Sequence, residues 1–364
     1  MTIPSAPMRQ AIEGAFAVRG TTSPNPWVGA VVVRDGVIVA RGATSPYGGA
    51  HAEAAALANI DARGADLYTT LEPCMPFEGK KTPPCAEVIV QAGIQRVVVG
   101  LQDPHAPVRG AGVEFLRSHG IQVEVGDGGE AITELLRPYL KFRQTGKPYI
   151  IAKFASSLDG KLGAPAAGIT WLTSEAAIRR THRDRAWVDA IVVGSGTVMA
   201  DDPMLSARDG NMDLPRQPLR VVLDGRGRSE PRSRVFRPGT IVASASRDEA
   251  WRKQIVATGA TILELEHNSG GLNLTQLFRV LGQRNVMSLV VEGGPTLLES
   301  LFRDDHIDEV HAYIAPLVLG ASGISLVPGT DFGDPVTLRE AHVEPLPPDL
   351  LIRGYTGSWS PEPA

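Results

Sequence analysis

The spacing of apolar residues along the first 145 positions switches repeatedly between the periods of helices and strands. Met8 to Val18 is patterned as a helix stopped by Gly20. Val28 to Arg34 and Val37 to Arg41 flank Asp35-Gly36, a hairpin signal. A helix is expected from Ala50 to about Asn59, a strand from Asp66 to Leu71, and a helix opening near Cys85. Arg96 to Leu101, Val113 to Ser118, Ile121 to Val125 and Ala131 to Phe142 continue the alternation, the pattern of an α/β sandwich.

Gln144-Thr145-Gly146-Lys147-Pro148 is polar and carries a glycine and a proline, after which a new strand starts at Tyr149 to Phe154. Two domains are therefore expected, 1–146 and 147–364, as the length of 364 residues also suggests. Apolar strands are predicted at Ala190 to Val193, Leu219 to Leu223, Thr240 to Ala243, Met287 to Val291 and Glu309 to Ile314. No internal repeat is evident, and the proline-containing tail from Ser358 is read as loose.

Composition narrows the class. A hydrophobic fraction of 43%, with no apolar run near the roughly 20 residues of a membrane span, excludes a membrane helix. The first ten residues lack a basic stretch followed by an apolar one, so no signal peptide is read and the cytoplasm is the expected compartment. A net charge of -4 disfavours nucleic acid as a partner. The two cysteines, Cys74 and Cys85, fit metal binding or chemistry better than a disulfide in a reducing compartment.

His51-Ala52-Glu53 precedes an alanine-rich helix, and Pro73-Cys74 and Pro83-Pro84-Cys85 each end in a cysteine expected to open a helix. One imidazole and two thiolates make a three-ligand zinc set that leaves a fourth position for water, the mark of a catalytic rather than a structural site. Helix N-termini favour thiolate over thiol. Zinc activates water near neutral pH, and Glu53 is the candidate that moves its proton to a ring nitrogen and then to the departing amine. Residues two apart in a regular helix do not share a face, so helical spacing alone does not put Glu53 over the metal. The remaining histidines, His105, His119, His182, His267, His306, His311 and His342, show no grouping and are read as surface or core residues.

At these residues the chain resembles the cytidine and nucleotide deaminase superfamily. The segment PCMPFEGKKTPPC, with ten residues between its cysteines, together with TSPNPWVG (Thr22 to Gly29), LEPC (Leu71 to Cys74) and QDPH (Gln102 to His105), resembles the bifunctional riboflavin-biosynthesis deaminase/reductase family. The family commonly has a shorter loop with a histidine pair where this chain has Met75-Pro76-Phe77-Glu78. The resemblance implies a cytidine-deaminase-like three-layer α/β/α domain. Its substrate would be a phosphorylated pyrimidine, a 2,5-diamino-6-(ribosylamino)pyrimidinone 5′-phosphate that loses its 2-amino group, and Asn25 would bond the sugar or base.

In the second half, Val290-Val291-Glu292-Gly293-Gly294-Pro295 before the helix Thr296 to Phe302 is a strand, a glycine turn and a helix start. It is not the dinucleotide fingerprint, and alone it reads as a turn. KPYIIAKFASSLDGK, TWLTS and VVGSGTVMADDPMLSAR resemble the reductase half of the same family, which implies a dihydrofolate-reductase-like α/β domain and NADPH as cofactor. By that resemblance Ala155, Trp171, Thr197, Asp201 and the turn Gly294, Pro295, Thr296, Leu297, Leu298, Glu299 and Ser300 lie near the cofactor. Lys153, Arg185, Leu205, Arg208 and Glu292 lie near the substrate. Arg185 and Arg208 suit a 5′-phosphate, because guanidinium forks match phosphate oxygens. Ile169 stands where the family often has a polar residue. The implied chemistry is hydride delivery to C1′, which opens the ribosyl group to a ribityl chain.

The resemblance further implies deamination before reduction and a homodimer or homotetramer. Three rival readings remain: a nucleic-acid-editing deaminase, which the acidic charge and an aromatic content of 5% oppose, a structural zinc staple, which would need a fourth protein ligand, and a deaminase-only enzyme with a degenerate reductase half.

Overall fold

The computed structural model describes residues 3–76, 83–105, 108–164, 168, 171–268, 271–329 and 334–361. The chain divides into two compact units, one ending at Gly146 and one running Lys147–Ser360.

The first unit begins with α1 (Ala6–Ala17), capped by the Ser5 hydroxyl, which accepts the Met8 N–H. It then runs through β1 (Gly29–Arg34), β2 (Val37–Ala43), α2 (Ala52–Leu57), β3 (Asp66–Leu71), α3 (Cys85–Gln91), β4 (Arg96–Leu101), α4 (Ala111–Ser118), β5 (Gln122–Val125) and α5 (Gly129–Thr145). The sheet order is β2-β1-β3-β4-β5, with β1 antiparallel to both neighbours and β3, β4 and β5 parallel. Central strands β1, β3 and β4 are buried along nearly their whole length, β1 and β4 as largely apolar runs and β3 with the buried Thr69 and Thr70, whereas β2 at the edge alternates.

Two glycines set how closely the helices lie on this sheet. A Cβ on Gly29 would fall 1.9 Å from the Ala11 carbonyl oxygen of α1, and one on Gly42 would fall 2.2 Å from the Ala52 carbonyl oxygen of α2. The first turn of α2 thus rests directly on the β2 backbone.

The second unit starts with β6 (Tyr149–Ser157), α6 (Glu175–Ala186), β7 (Ala190–Gly194), α7 (Ser195–Asp201), and the small pair β8 (Arg208–Asp209) and β9 (Met212–Asp213). There follow β10 (Leu219–Leu223), β11 (Thr240–Ser244), α8 (Glu249–Ala257), β12 (Thr261–Glu264), the pair β13 (His267–Asn268) and β14 (Gly271–Leu272), and α9 (Leu274–Gln283). The chain closes with β15 (Ser288–Val291), α10 (Pro295–Arg303), β16 (Glu309–Ala315), β17 (Arg339–Leu346) and β18 (Asp349–Tyr355).

Nine strands form its main sheet in the order β12-β11-β10-β7-β15-β6-β16-β18-β17, parallel from β12 to β16 and antiparallel at the β18-β17 end. Alternate residues of each parallel strand enter opposite cores. Ile150, Val192, Val221, Ile241 and Leu289 pack with Leu277, Leu281, Leu298 and Leu301 of α9 and α10. Ile151, Ile191, Val222, Val242 and Val290 pack with Val198, Trp251 and Ile255 of α7 and α8. Helices therefore cover both faces of the parallel part.

The strands expected at Leu219 to Leu223 and the neighbouring apolar runs are observed, but β17 and β18 lie outside the sequence-based expectations. β17 is exposed along most of its length, and the short apolar run Leu350-Leu351-Ile352 of β18 follows Pro347-Pro348 and is interrupted by Arg353 and Gly354.

The Gly42 contact yields a direct test. Gly42→Ala forces α2 off the sheet, and overpacking of this kind costs about 1–3 kcal/mol. We expect a lower thermal midpoint together with weaker zinc retention, since α2 opens at His51, and metal analysis of the purified variant alongside a melt reads both.

Candidate functional site

Strands β3 and β4 are parallel, so the loops that leave them emerge at one edge of the sheet. Glu72-Pro73-Cys74 follows β3, and Asp103 follows β4. Because β1 runs antiparallel to β3, the turn before β1 reaches the same edge, where the Gly29 N–H donates to Thr70 Oγ1 at 3.1 Å. Asn25 lies in that turn, its N–H bonded to the Thr22 carbonyl and its own carbonyl accepting from Thr22 Oγ1.

His51 is the N-cap of α2 with φ −75° and ψ 164°, so it stands outside the helix that begins at Ala52. Its Nδ1 lies 3.4 Å from Cys74 Sγ and 3.3 Å from Cys85 Sγ. The three donor atoms fall within 4.8 Å of one another, the one cluster of this kind among the described residues. One imidazole nitrogen and two sulfurs of buried cysteines fit zinc, and within that spacing no fourth acidic, histidine or cysteine side chain joins them among the described residues.

Cys85 opens α3 as expected, but Cys74 does not open a helix: it sits in the irregular segment after β3. It receives the N-terminal polarity of α3 from outside, with the Cys85 N–H 3.5 Å from its sulfur. Glu53 is in the first turn of α2 and only 3% exposed. Burial pushes its carboxyl up from the ordinary value, and the charge of Cys74 adds to the rise. The helical-face objection to the His-x-Glu spacing does not apply, since His51 precedes the helix in extended conformation.

A residue that the sequence reading left unassigned holds this arrangement. Glu72, 3% exposed, accepts four backbone N–H groups: Gly112 and Val113 on Oε1, at 3.0 and 3.2 Å, and Gly110 and Asp103 on Oε2, at 3.0 and 3.2 Å. A Cβ on Gly112 would sit 2.1 Å from the Pro73 carbonyl oxygen, so α4 starts in contact with the loop that carries Cys74. Beside it, Asp103 accepts from Tyr139 Oη at 3.0 Å, and burial pushes its carboxyl up to about 6. Residues 77–82, the distinctive part of the loop between the cysteines, lie outside the described residues, as does Ile169.

In the second unit the charged groups gather past the carboxyl ends of parallel strands, where such sheets bind ligands. Lys153 and Ala155 lie on β6, and Glu292 immediately follows β15. Arg185, far from being a solvated charge on α6, is buried and donates Nε and Nη2 to Glu292 at 2.7 and 2.8 Å, with Nη1 on the Ser206 carbonyl at 3.0 Å. Its bidentate edge is therefore occupied. Burial alone would raise the Glu292 carboxyl, yet Arg185 and then Lys153 hold it down at about 2. Burial lowers the Lys153 amine, whose Nζ stands 5.3 Å from the Tyr313 ring centroid. Leu205 is buried with a left-handed φ of 51°, a strained turn that leads into Ser206 and Arg208.

The residues expected around a cofactor are placed unevenly. Gly294 is the N-cap of α10, and a Cβ on it would lie 3.9 Å from Thr197 Oγ1 of α7, so those two elements converge. Pro295 and Thr296 form the first turn, and Ser300 Oγ bonds back to the Thr296 carbonyl. Leu298 is fully buried in the core and Leu297 packs against it, so their side chains face inward. Glu299 Oε1 would lie 3.4 Å from a Cβ on Gly329. Asp201 ends α7, its carboxyl raised by burial. Trp171 is 74% exposed and is no core residue.

The reading of the other histidines as ungrouped is corrected for two of them. His182 lies against Ser206, Arg185 and Arg208. His311, paired in register with Lys153, joins Asp184 at 3.5 Å and Glu309 at 2.8 Å, and Asp184 also takes the Tyr313 hydroxyl and Arg180. Ser206, Arg208 and Asp184 come from other elements, which local spacing does not reveal, whereas Arg185 and Glu309 are near neighbours on the same helix and the same strand.

These two sites define a protein with a zinc-binding deaminase half and a reductase half. A family model described as the cytidine and deoxycytidylate deaminase zinc-binding region matches residues 1–101, and one described as the RibD C-terminal domain matches 148–352. The riboflavin biosynthesis protein RibD of Bacillus amyloliquefaciens is 38% identical over 355 residues, which span 95% of this chain and 94% of that one. RibD of Escherichia coli K12 is 36% identical over 95% of this chain and 97% of its own. Among solved structures, Acinetobacter baumannii RibD superposes with a TM-score of 0.85 at 34% identity, covering 96% of this chain and 97% of that one. The Thermotoga maritima diaminohydroxyphosphoribosylaminopyrimidine deaminase/5-amino-6-(5-phosphoribosylamino)uracil reductase gives 0.84 at 32% identity, with the same coverage of 96% and 97%. The chain belongs to the RibD family of bifunctional deaminase/reductases of riboflavin biosynthesis.

The His311 site carries a pH signature. Burial opposes its charge, but Glu309 and Asp184 outweigh that and raise its pKa to about 9 from an ordinary 6.5. A raised histidine stabilises the fold fully below pH 6.5 and loses that contribution as pH climbs through about 9. The loss is on the order of 3 kcal/mol. Urea melts of the intact protein between pH 6 and pH 10 are expected to show it, and His311→Gln to flatten it; equal slopes in both proteins would refute the assignment.

Proposed function

We propose that the chain deaminates 2,5-diamino-6-(5-phosphoribosylamino)pyrimidin-4(3H)-one to 5-amino-6-(5-phosphoribosylamino)uracil and then reduces the ribosyl group to ribityl with NADPH. The convergence of His51, Cys74 and Cys85 beside the buried carboxyl of Glu53 carries the first half of this reading. The name of the Thermotoga maritima structure supports the substrate.

His51, Cys74 and Cys85 would hold zinc, which supplies Lewis-acid activation of water. Glu53, its carboxyl raised by burial, is suited to take a proton from that water and deliver it to the ring nitrogen and the departing amine. Asn25, in the turn at the same sheet edge, would bond the sugar or base.

For reduction, NADPH would supply hydride to C1′. Ala155, Trp171, Thr197, Asp201 and the helix start from Gly294 to Ser300 form its proposed cradle, with the free N–H groups of α10 suited to a pyrophosphate. Lys153, Glu292, Arg185, Leu205 and Arg208 would take the substrate. Arg208 Nε is buried without a hydrogen-bond partner among the described residues, as an arginine waiting for a phosphate oxygen would be. The proposal extends to a cytoplasmic homodimer or homotetramer; among the described residues no helix is long and apolar enough to cross a membrane.

The test is to incubate the purified protein with the diaminopyrimidinone phosphate, with and without NADPH, and to identify products by mass. Deaminated product alone, with NADPH left unconsumed, would favour the degenerate-reductase reading. Glu53→Gln is expected to retain zinc while ammonia release falls by about 10²–10⁴-fold, and a fully active variant would remove the proton-transfer role. Arg208→Ala is expected to weaken reduction by roughly 1.5–3 kcal/mol of substrate binding, with deamination unchanged.

A further inference from the structure

His182 lies on α6 one turn before Arg185 and is 8% exposed. Each of its ring nitrogens meets a group of fixed polarity. Arg208 Nη2, which can only donate, stands 3.2 Å from Nε2, so Nε2 accepts. The Ser206 carbonyl oxygen, which can only accept, stands 3.0 Å from Nδ1, so Nδ1 carries the proton. Arg185 Nη1 is 3.4 Å from Nδ1 but sends its own proton to the same Ser206 carbonyl at 3.0 Å. A neutral imidazole protonated on Nδ1 satisfies every contact, whereas the cation or the other tautomer would point an N–H at a guanidinium.

The surrounding charges agree. Burial first, and then Arg185 and Arg208, lower the His182 pKa, against smaller opposing effects of the Ser206 carbonyl and then Glu292. Three cations, Lys153, Arg185 and Arg208, face one carboxylate, Glu292, while Asp184 is committed to Arg180 and His311. With His182 neutral the surplus is two positive charges, the complement of a phosphate monoester dianion. Arg185 has its bidentate edge on Glu292, which leaves Arg208 as the guanidinium with a buried, unpartnered Nε.

We propose that His182 is a positioning residue for the reductase: as the Nδ1-protonated neutral tautomer, it bridges the Ser206 carbonyl to Arg208 and fixes that guanidinium for the substrate's 5′-phosphate. This rests on the reading of Arg208 as a phosphate contact. The device explains why a histidine serves at this place. A lysine or arginine would repel Arg208, and a carboxylate would cancel the charge that the phosphate needs.

Steady-state reduction of the deaminated intermediate and of its dephosphorylated counterpart, with NADPH, tests the proposal in the full chain. Asparagine keeps a donor near the Nδ1 position but offers nothing at Nε2, and glutamine places an acceptor near Nε2. His182→Asn is expected to raise KM for the phosphorylated substrate about tenfold with kcat within about twofold, and to leave the dephosphorylated substrate unaffected. His182→Gln is expected to hold KM within about threefold of wild type. Arg208→Ala serves as the reference. If it leaves KM for the phosphorylated substrate unchanged, the phosphate reading fails. If it raises KM while His182→Asn matches wild type, or if Asn and Gln are equally impaired, the positioning role fails. Nitrogen NMR of the wild-type ring gives a reading independent of variant folding: Nδ1 protonated and Nε2 bare is expected, and a charged or Nε2-protonated ring would overturn the proposal.

Discussion

Strands that run parallel must be joined by crossovers, and all their carboxyl ends then face the same way. That constraint organises both halves of this chain. In the first unit it brings the exits of β3 and β4 to one edge, where Cys74, Glu72 and Asp103 meet the starts of α2 and α3. In the second it lines up the ends of β6, β7 and β15, so that Lys153, Thr197, Glu292 and Gly294 converge from segments far apart in the chain. The apolar strands supply burial, and the chemistry sits where their hydrogen-bonding ends.

Concentrating charge at such edges has a cost, because an unpaired buried charge is strongly destabilising. The chain meets it by pairing each charge in a defined geometry. Glu72 accepts four backbone N–H groups, so its two oxygens are held by the main chain. Glu292 is held ionised by Arg185, and Asp184 and Arg180 of α6 form a second buried network with His311 of β16. At the two sites, burial raises the Glu53 carboxyl, and Arg208 Nε is buried with no hydrogen-bond partner among the described residues; these are the groups for which a proton transfer and a phosphate contact have been argued.

Much of this was readable from residue order. The alternation of apolar runs located β1, β3, β4, β6, β7, β10, β11, β15 and β16, since a strand buried on both faces is rich in apolar residues on both. The zinc cluster was readable because its residue types are rare and their chemistry is specific: both cysteines of the chain belong to it. Other features were not. Strand β17 is largely exposed and lacks an apolar signature, and β18 carries only the three-residue apolar run Leu350-Leu351-Ile352. Cys74 looked like a helix start, yet it obtains helix polarity from the N–H of Cys85, a contact across 11 positions of sequence.

The sequence by itself determined the two-domain division, the elements of the first domain, most central strands of the second, the ligand types and the family, because periodicity and rare reactive residues are local properties. Only the tertiary structure decided that Glu72 gathers the N–H groups of Asp103, Gly110, Gly112 and Val113, that Arg185 spends its fork on Glu292, and that His182 and His311 have opposite electrostatic fates. The physical reason is that a polar side chain's behaviour is set by its hydrogen-bond partners and burial. For His182 those partners are Ser206 and Arg208, and for His311 they are Asp184 and its strand neighbour Glu309; Ser206, Arg208 and Asp184 come within reach only in the folded protein.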